Sequence, residues 1–352
     1  MNRSKIGWCD HTWNPITGCR INCPYCYART MTARFAGDIR LNLMAKTDYS
    51  VQEAPDGSGE IYILDKPMLN ETGNHLVYPF GFEPTYHRYR MNTLDKLITG
   101  KNIFVGAMAD IFAECIPDEW ILDIINACIN RPQHNYLFLT KNPQRYIRYG
   151  VPTEYHNMWY GTTITCGADV YKYGLLPADG RKFVSIEPIL GPFNAMNIEY
   201  VCKSVDWVII GAETGRRSGK VIPKSEWINA IVEEADRREV PVFMKESLAP
   251  VIGEENMRRE FPERLKHFEI SQKMRKKLFT VKIRLYTRIN MKKSDMITLF
   301  AKSMRMEAPK NFGFMCKKCF KKFCENLELK VPELEALTGG DINEHDVEEE
   351  RL

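Results

Sequence analysis

Short apolar runs recur through the middle of the chain and alternate with amphipathic segments. The runs are rich in β-branched and aromatic residues and are almost continuously apolar, which is typical of strands buried on both faces of a sheet. They lie at residues 102–107, 135–140, 158–164, 182–188, 206–213 and 241–246. Helical periodicity is clear at 117–131 and 224–239, where apolar residues recur three and four positions apart. Weaker helical patterns lie at 92–99, 142–149, 168–176 and 194–203.

The order of strand, helix and strand predicts βαβ units and a parallel sheet. A further short strand is expected at residues 5–9, and a first helix at 27–36. We therefore predict an α/β fold over residues 1–265, in the form of a partial to near-complete parallel (β/α) barrel. Residues 47–90 interrupt the alternation and contain the turn-rich sequence APDGSG, so we expect an irregular insertion there.

Polar residues follow the carboxyl ends of the predicted strands, which is where parallel α/β barrels build their sites. Any one of them has an ordinary explanation as a helix cap or as part of the solvated rim, but their recurrence at successive strands favours a site. The candidates are Asp110, Thr140, Lys141, Thr162, Thr163, Ser185, Glu187, Glu213, Thr214, Lys245 and Glu246. Gly211, in the segment GAETG, fits a loop that closely approaches a ligand, and a tight turn explains it equally well.

Charge is distributed unevenly along the 352 residues, although the formal net charge is only +4. Residues 273–322 carry 16 Lys and Arg against two acidic residues, whereas residues 323–352 carry ten acidic residues against two basic ones. A basic segment of this kind suits the phosphate backbone of nucleic acid, and it equally suits a solubilising surface. We expect a small basic module at 266–325 and an acidic, disordered tail at 326–352.

Three of the 11 cysteines lie close together in the segment GCRINCPYCYA, at residues 18–28. The first residues of the chain lack the apolar core of a signal peptide, and no run of about 18 apolar residues is present to span a bilayer. We therefore expect a cytoplasmic protein without a membrane partner. In that compartment, clustered cysteines indicate a metal or redox site before a disulfide.

Cys19, Cys23 and Cys26 have the spacing C-x3-C-x2-C, and thiolates this close can converge from a loop on one metal centre. Iron–sulfur clusters usually take four cysteine ligands, so three ligands leave one iron of a [4Fe–4S] cluster open to a substrate or cofactor. A zinc site would take a fourth cysteine or histidine. Cys9 and His11 are near enough in sequence to keep zinc open as well.

The cysteine segment resembles the cluster loop of the radical SAM superfamily, whose pattern is C-x3-C-x-aromatic-C, with Tyr25 as the aromatic residue. More closely, the chain resembles the phage Gp37/Gp68 family of radical SAM-like proteins. The matching segments span residues 6–246 and are IGWCDHTWNPITGC, VGAMADIF, LFLTKNPQR, MWYGTTIT, VSIEPILGP, DWVIIGAETG and PVFMKE.

This resemblance implies a [4Fe–4S] cluster on the three cysteines, with S-adenosylmethionine (SAM) bound to the open iron. An external electron donor would drive reductive cleavage of SAM to a 5′-deoxyadenosyl radical that abstracts hydrogen from a substrate, which the resemblance does not identify. By analogy with the superfamily, Asp110 would meet the amino group of SAM, although the usual Gly-Gly-Glu segment is replaced here by AMAD. The expected cofactor-binding residues are Tyr25, Asp110, Thr163, Ser185, Glu187, Gly211 and Glu213.

A second group of cysteines, Cys316, Cys319 and Cys324, lies in the basic module and resembles half of a zinc ribbon. A complete ribbon needs a second pair, and the segment 278–287, where longer relatives would carry it, has no cysteine. We therefore expect a degenerate zinc-ribbon-like module in which zinc binding is doubtful.

Taken with the charge pattern, these features favour a radical SAM enzyme whose substrate is unidentified, with nucleic acid or a nucleotide as one class, bound through residues 273–322. A small-molecule or peptide substrate is the other class, in which case the basic region is only structural. The alternative is a zinc-stabilised nucleic-acid-binding protein without redox chemistry. The segment 81–90 interleaves aromatic and basic residues, which fits either a groove for single-stranded nucleic acid or a solvated insertion.

Overall fold

The computed structural model describes residues 2–266, which belong to the first of two compact units, ending at Lys266. The predicted basic module, its cysteines Cys316, Cys319 and Cys324, and the acidic tail lie outside the described residues. Within residues 2–266, no helix is both long enough and apolar enough to cross a membrane.

Twelve strands and seven α-helices are present in this part of the chain. The strands are β1 (Asn2–Arg3), β2 (His11–Trp13), β3 (Ile16–Thr17), β4 (Ser50–Glu53), β5 (Glu60–Leu64), β6 (Thr85–His87), β7 (Asn102–Val105), β8 (Asn135–Thr140), β9 (Met158–Thr163), β10 (Arg181–Ile186), β11 (Trp207–Ile210) and β12 (Val242–Met244). The α-helices are α1 (Tyr27–Phe35), α2 (Ile39–Met44), α3 (Asp118–Ile129), α4 (Gln144–Tyr149), α5 (Ala195–Cys202), α6 (Ser225–Arg237) and α7 (Ala249–Ile252). Short 3-10 helices lie at Arg88–Lys96, Gly167–Leu175, Gly215–Arg217, Glu246–Leu248, Glu254–Asn256 and Glu263–Leu265.

The main sheet is a curled half-barrel of seven parallel strands with one antiparallel strand at its edge. Its order is β1-β2-β7-β8-β9-β10-β11-β12, and every pair from β2 to β12 is parallel. Only β1 pairs antiparallel, with β2. The predicted α/β class and parallel sheet are therefore confirmed, because each apolar run forms a strand and the segments between them cross over to the next parallel strand.

Alternate residues of each strand face opposite sides of the sheet, and both sides are buried. The outer faces join the helices in one large apolar core. The inner faces form a separate aromatic cluster, whose members include Trp8, Phe104, Leu137, Trp159, Phe183, Trp207 and Phe243. Gly161 leaves room in this layer for the ring of Phe183, since a Cβ atom at position 161 would lie 2.5 Å from it. The aromatic layer fills the interior of the half-barrel, and polar side chains follow it at the carboxyl ends of the strands.

Two parts of the predicted fold are wrong. Residues 5–9 form a turn rather than a strand, because the hydroxyl of Ser4 accepts from the amide of Ile6 and the carbonyl of Ile6 accepts from the amide of Cys9. The first parallel strand is instead β2.

The insertion 47–90 is also not irregular. It contributes β4, β5 and β6 to a second sheet of order β3-β6-β5-β4, in which β3 comes from the segment before the cysteines. A small apolar cluster of Tyr62, Leu64, Met68 and Phe80 stabilises this sheet. The helices predicted at 92–99 and 168–176 are 3-10 helices in the structure, at Arg88–Lys96 and Gly167–Leu175.

Candidate functional site

A cavity of about 360 Å³ opens at the carboxyl edge of the parallel sheet. Residues at or just beyond the carboxyl ends of β7 to β12 contribute to its walls, as expected for a site of a parallel sheet. Of the ten residues predicted as cofactor or metal ligands, nine line it: Cys19, Cys23, Tyr25, Cys26, Asp110, Thr163, Ser185, Glu187 and Glu213. Gly211 lies in the wall behind them and does not line the cavity. Trp8, Phe104 and Leu139 close the cavity on the side of the aromatic layer.

The cysteine loop is held by the backbone of the insertion. Gly18 has a φ of +86°, and a Cβ atom there would lie 2.2 Å from the carbonyl oxygen of Glu83. The amide of Gly18 donates to the carbonyl of Met108 (2.9 Å), and the amide of Cys19 donates to the carbonyl of Phe82 (3.1 Å). The loop is therefore pressed between two segments distant in sequence, and only glycine fits at position 18.

Arg20 ties the same loop to the turn between β4 and β5. Its guanidinium donates to the hydroxyl of Ser58 (2.8 Å) and to the carbonyls of Gly59 (3.2 Å) and Glu60 (2.6 Å). It also forms an ion pair with Glu83 at 2.7 Å. Nothing local in the sequence distinguishes Arg20 from any other surface arginine, so its role could not be predicted from the sequence.

Cys19, Cys23 and Cys26 are free thiols and are partly buried. Burial, with the nearby negative charge of Asp110, raises the pKa of Cys19 to about 12. Burial also raises the pKa of Cys23, and the positive charge of Lys141 opposes that shift. Two of these thiols are therefore neutral at pH 7, and binding of a metal would release their protons.

The three thiols share the cavity without converging on a single point. Within residues 2–266, no group of three or more His, Cys, Asp or Glu side chains is arranged to hold one metal ion. A cubane cluster differs from a single ion, because each cysteine binds a separate iron and the sulfur atoms stay apart. Cys9, the nearest cysteine considered for zinc, directs its thiol at the hydroxyl of Ser4 and does not line the cavity.

Two tyrosines fix the end of the cysteine loop. The ammonium group of Lys141 lies 5.7 Å from the ring centroid of Tyr25, a cation–π distance. The hydroxyl of Tyr27 donates to the carbonyl of Ala107 at 2.5 Å. Burial raises the pKa of both phenols, so they remain neutral.

Asp110 connects the ends of β7 and β8. Its Oδ1 accepts from the hydroxyl of Thr140 (2.7 Å) and from the amide of Phe112 (3.1 Å), and its Oδ2 accepts from the amide of Lys141 (2.8 Å). These contacts give the carboxylate a role in ordering the two strand ends beside the cysteines. Any ligand contact made by Asp110 is additional to them.

Thr163 and Ser185 lie side by side on adjacent parallel strands, as partners in the register of β9 and β10. Both side chains are buried and both line the cavity. Within the part of the chain that the structure describes, neither hydroxyl has a hydrogen-bond partner. Two hydroxyl groups are thus available to a ligand on the inner face of the sheet.

The carboxyl ends of β10, β11 and β12 carry two ion pairs, which we call the ion-pair end of the cavity (Glu187, Glu213, Arg217 and Lys245). Glu187 pairs with Lys245 and Glu213 pairs with Arg217. A Cβ atom at Gly211 would lie 3.0 Å from Cγ of Glu187 and 3.1 Å from Cδ of Lys245. Gly211 therefore makes room for the ion pair that crosses β11. This contact explains why position 211 is a glycine better than a tight turn does.

The aromatic and basic segment 81–90 is partly buried, with Arg88 exposed. Tyr86 and His87 are fully buried, so neither is available to stack on a base. Arg88 pairs with Asp65 at 2.6 Å, and Arg90 donates to backbone carbonyls that include that of Asn14 (3.0 Å). The rings of Tyr86 and His87 therefore stabilise the second sheet, and a nucleic-acid groove formed by the rest of this segment stays a prediction.

Comparison with known proteins gives one match over most of the chain. A family model described as "Protein of unknown function (DUF5131)" matches residues 3–277, which include every residue of the cavity. No curated protein matches the chain.

Proposed function

The chain belongs to the DUF5131 family, and we propose that it is a radical SAM enzyme that abstracts hydrogen from a substrate not yet identified. The observation that carries the proposal is the position of Cys19, Cys23 and Cys26, three free thiols in one cavity at the carboxyl edge of a parallel sheet. Their C-x3-C-x2-C spacing, with Tyr25 before the third cysteine, resembles the superfamily's cluster loop.

The residues of the cavity fit both cofactors. Three thiolates would hold a [4Fe–4S] cluster and leave one iron open for SAM. Thr163 and Ser185 offer hydroxyls without partners in residues 2–266, and the cavity volume lies in the range of small-molecule sites. When bound, the two groups supply one-electron cleavage of the sulfonium and a carbon-centred radical for hydrogen abstraction.

The protein's own residues position the cofactors and exclude water. Gly18 and Arg20 fix the cysteine loop against the second sheet, so the thiols are held before a cluster binds. Lys141 places a positive charge beside Cys23, which favours the thiolate form that a cluster needs. The apolar wall at Trp8, Phe104 and Leu139 keeps water from a reactive carbon centre.

Thr163 and Ser185 are proposed to bind the carboxylate and ribose of SAM, and Glu187 is proposed to contact the ribose. Asp110 is proposed to act near the amino group while it orders the ends of β7 and β8. Each of these roles rests on the position of the residue at a strand end and on the superfamily analogy.

Anaerobic reconstitution with iron and sulfide tests the proposal. We expect about four iron atoms per chain, absorbance near ~400 nm and cleavage of SAM when dithionite is added. Cys19→Ser, Cys23→Ser and Cys26→Ser should each lose cluster and cleavage. Cys166→Ser is the matched control, since Cys166 is a partly buried free thiol outside this cavity. Zinc on the three cysteines with no turnover of SAM would overturn the proposal.

A nucleic-acid or nucleotide substrate is proposed from the charge of residues 273–322, which suits a phosphate backbone. Retention of single-stranded DNA or RNA should weaken steeply with salt and disappear when residues 266–352 are deleted. Retention that survives the deletion would remove the basic segment from this role.

A further inference from the structure

The charges at the ion-pair end of the cavity cancel in pairs. At the ion-pair end, Glu187 is neutralised by Lys245, and Glu213 is neutralised by Arg217. This end therefore carries no net charge. Apolar residues flank it, since Pro188 and Ala212 line the cavity next to the charged side chains.

Glu213 is the group at this end whose contacts are incomplete. Its side chain is 1% exposed, and Arg217 reaches only one of its oxygens. The other oxygen, Oε2, is buried and has no hydrogen-bond partner in residues 2–266. Buried polar atoms almost always have a partner, and leaving one without a donor is costly.

The partner that Oε2 of Glu213 lacks is a hydrogen-bond donor rather than a charged group. Arg217 already neutralises Glu213, so a second cation would leave an uncompensated positive charge in a mostly apolar cavity. An anion would face two carboxylates, which oppose its binding even where it carries an O–H group. An uncharged N–H or O–H group satisfies Oε2 without disturbing either ion pair.

We propose that the ion-pair end binds an uncharged hydrogen-bond donor, such as a hydroxyl or carboxamide group, carried on an apolar body. The donor would meet Glu213, and the body would lie against the wall formed by Trp8, Phe104 and Leu139. As the site of the substrate of hydrogen abstraction, this assignment rests on the proposed function, and a nucleic-acid substrate would fit it only through an uncharged part such as a base or ribose, with its phosphates outside this end. As a binding site it does not, because none of these residues belongs to the cysteine loop.

Three probes of the same shape test the charge preference: benzamide, benzoate and benzylammonium. They share a phenyl ring and differ in carrying a neutral donor, an anion or a cation. Binding to the full chain without a cluster is measured by saturation-transfer NMR and titration. We expect benzamide to bind at least about tenfold more tightly than either charged probe, the factor that one hydrogen bond to a charged group provides.

Two substitutions should invert this preference in opposite directions. Glu213→Ala removes the acceptor and leaves Arg217 unpaired, so benzamide should weaken about tenfold and benzoate should become the best probe. Lys245→Met leaves Glu187 unpaired, so benzylammonium should become the best probe. Asp65→Ala is the matched control, because it breaks an exposed ion pair with Arg88 outside the cavity and should change nothing. Thermal unfolding identifies a variant that fails to fold, and the other variant then carries the test.

The outcomes separate this inference from the proposed function. A wild-type chain that prefers a charged probe, or a folded Glu213→Ala variant that binds benzamide unchanged, would overturn the donor site. Displacement of benzamide by S-adenosylhomocysteine in the reconstituted protein would assign Glu213 to SAM and overturn the substrate site. A chain that binds benzamide as expected but forms no cluster would overturn the proposed function and leave the donor site standing.

Discussion

The cysteine loop and the ion-pair end face the same cavity but are built in different ways. The loop is held by backbone contacts to Phe82 and Met108 and by one arginine. The ion-pair end consists of side chains that extend from three neighbouring strands of one parallel sheet. A loop built in this way depends on a few positions that tolerate no change, whereas the strand ends can lose a side chain and keep their backbone. The two ends should therefore respond differently to substitution.

Gly18→Ala should have the largest effect, because it forces a left-handed φ on alanine and places Cβ 2.2 Å from the backbone of Glu83. We expect a loss of about 3 kcal/mol or more in the free energy of unfolding, measured with urea, and loss of the reconstituted cluster. Gly57→Ala is the control. Gly57 has a similar φ of +69° but open space around its Cβ position, so only about 1–2 kcal/mol should be lost. Equal losses of stability in Gly18→Ala and Gly57→Ala would show that the clash with Glu83 does not add to the cost of a left-handed φ.

The second largest effect is expected from acid, which should destabilise the fold around His87, beside the cysteine loop. His87 is fully buried, with Nε2 2.8 Å from the hydroxyl of Thr17, and burial together with the charge of Arg90 holds its pKa well below 6.5. The folded state therefore binds fewer protons than the unfolded state below pH 6.5. The stability that the neutral ring contributes is present above that pH and is lost as the pH falls, by at most about 1.4 kcal/mol per pH unit.

Urea titrations at pH 7.5, 6.5 and 5.5 measure this loss in the wild type and in His87→Gln. Glutamine keeps a hydrogen-bonding group near Thr17 but does not titrate, so the variant should lose less stability on acidification. Parallel stability curves for the two proteins would contradict the assignment of the acid response to His87.

The main sheet could be predicted from the sequence because its signals are local. β8 has the bounds of its apolar run, and α3 has the periodicity that predicts it. The second sheet could not be predicted in this way, since β5 and β6 are short and pair in parallel across an intervening segment of the chain. The burial of the second sheet is determined by contacts such as that between Tyr62 and Phe80, whose stacked rings have centroids 4.2 Å apart.

The same distinction applies to the site. Residues such as Thr163 and Glu187 could be predicted as cavity residues, because strand ends of a parallel sheet meet at one edge. The pairing of Glu187 with Lys245 across Gly211 could not, since it depends on the neighbours of β11 in space. Arg20 was missed for the same reason, as all its partners come from residues 58–83.

Arg20→Ala should have an intermediate effect that is confined to the cysteine end. It removes the contacts to Ser58, Gly59, Glu60 and Glu83, and we expect about 1–2 kcal/mol lower stability with faster loss of iron to a chelator. Arg20→Lys should recover only part of this, because a lysine cannot reproduce the forked geometry. Arg148→Ala, which breaks the exposed pair with Glu114, should leave iron retention unchanged. Similar iron loss from Arg148→Ala would mean that the effect is not specific to the loop.

Gly211→Ala should have the smallest effect and should separate the two ends most clearly. Its Cβ would lie 3.0–3.2 Å from side-chain atoms of Glu187 and Lys245, which are flexible and can shift by a few tenths of an ångström. We therefore expect about 1 kcal/mol lower stability and a weakened ion pair, but unchanged iron content, because the cysteine loop does not contact this residue. Gly219→Ala, with nothing near its Cβ position, controls for the loss of a glycine. If Gly211→Ala lost iron as Gly18→Ala is expected to, the two ends would have to act as one unit, and the independence of the donor site from the cluster would fail with it.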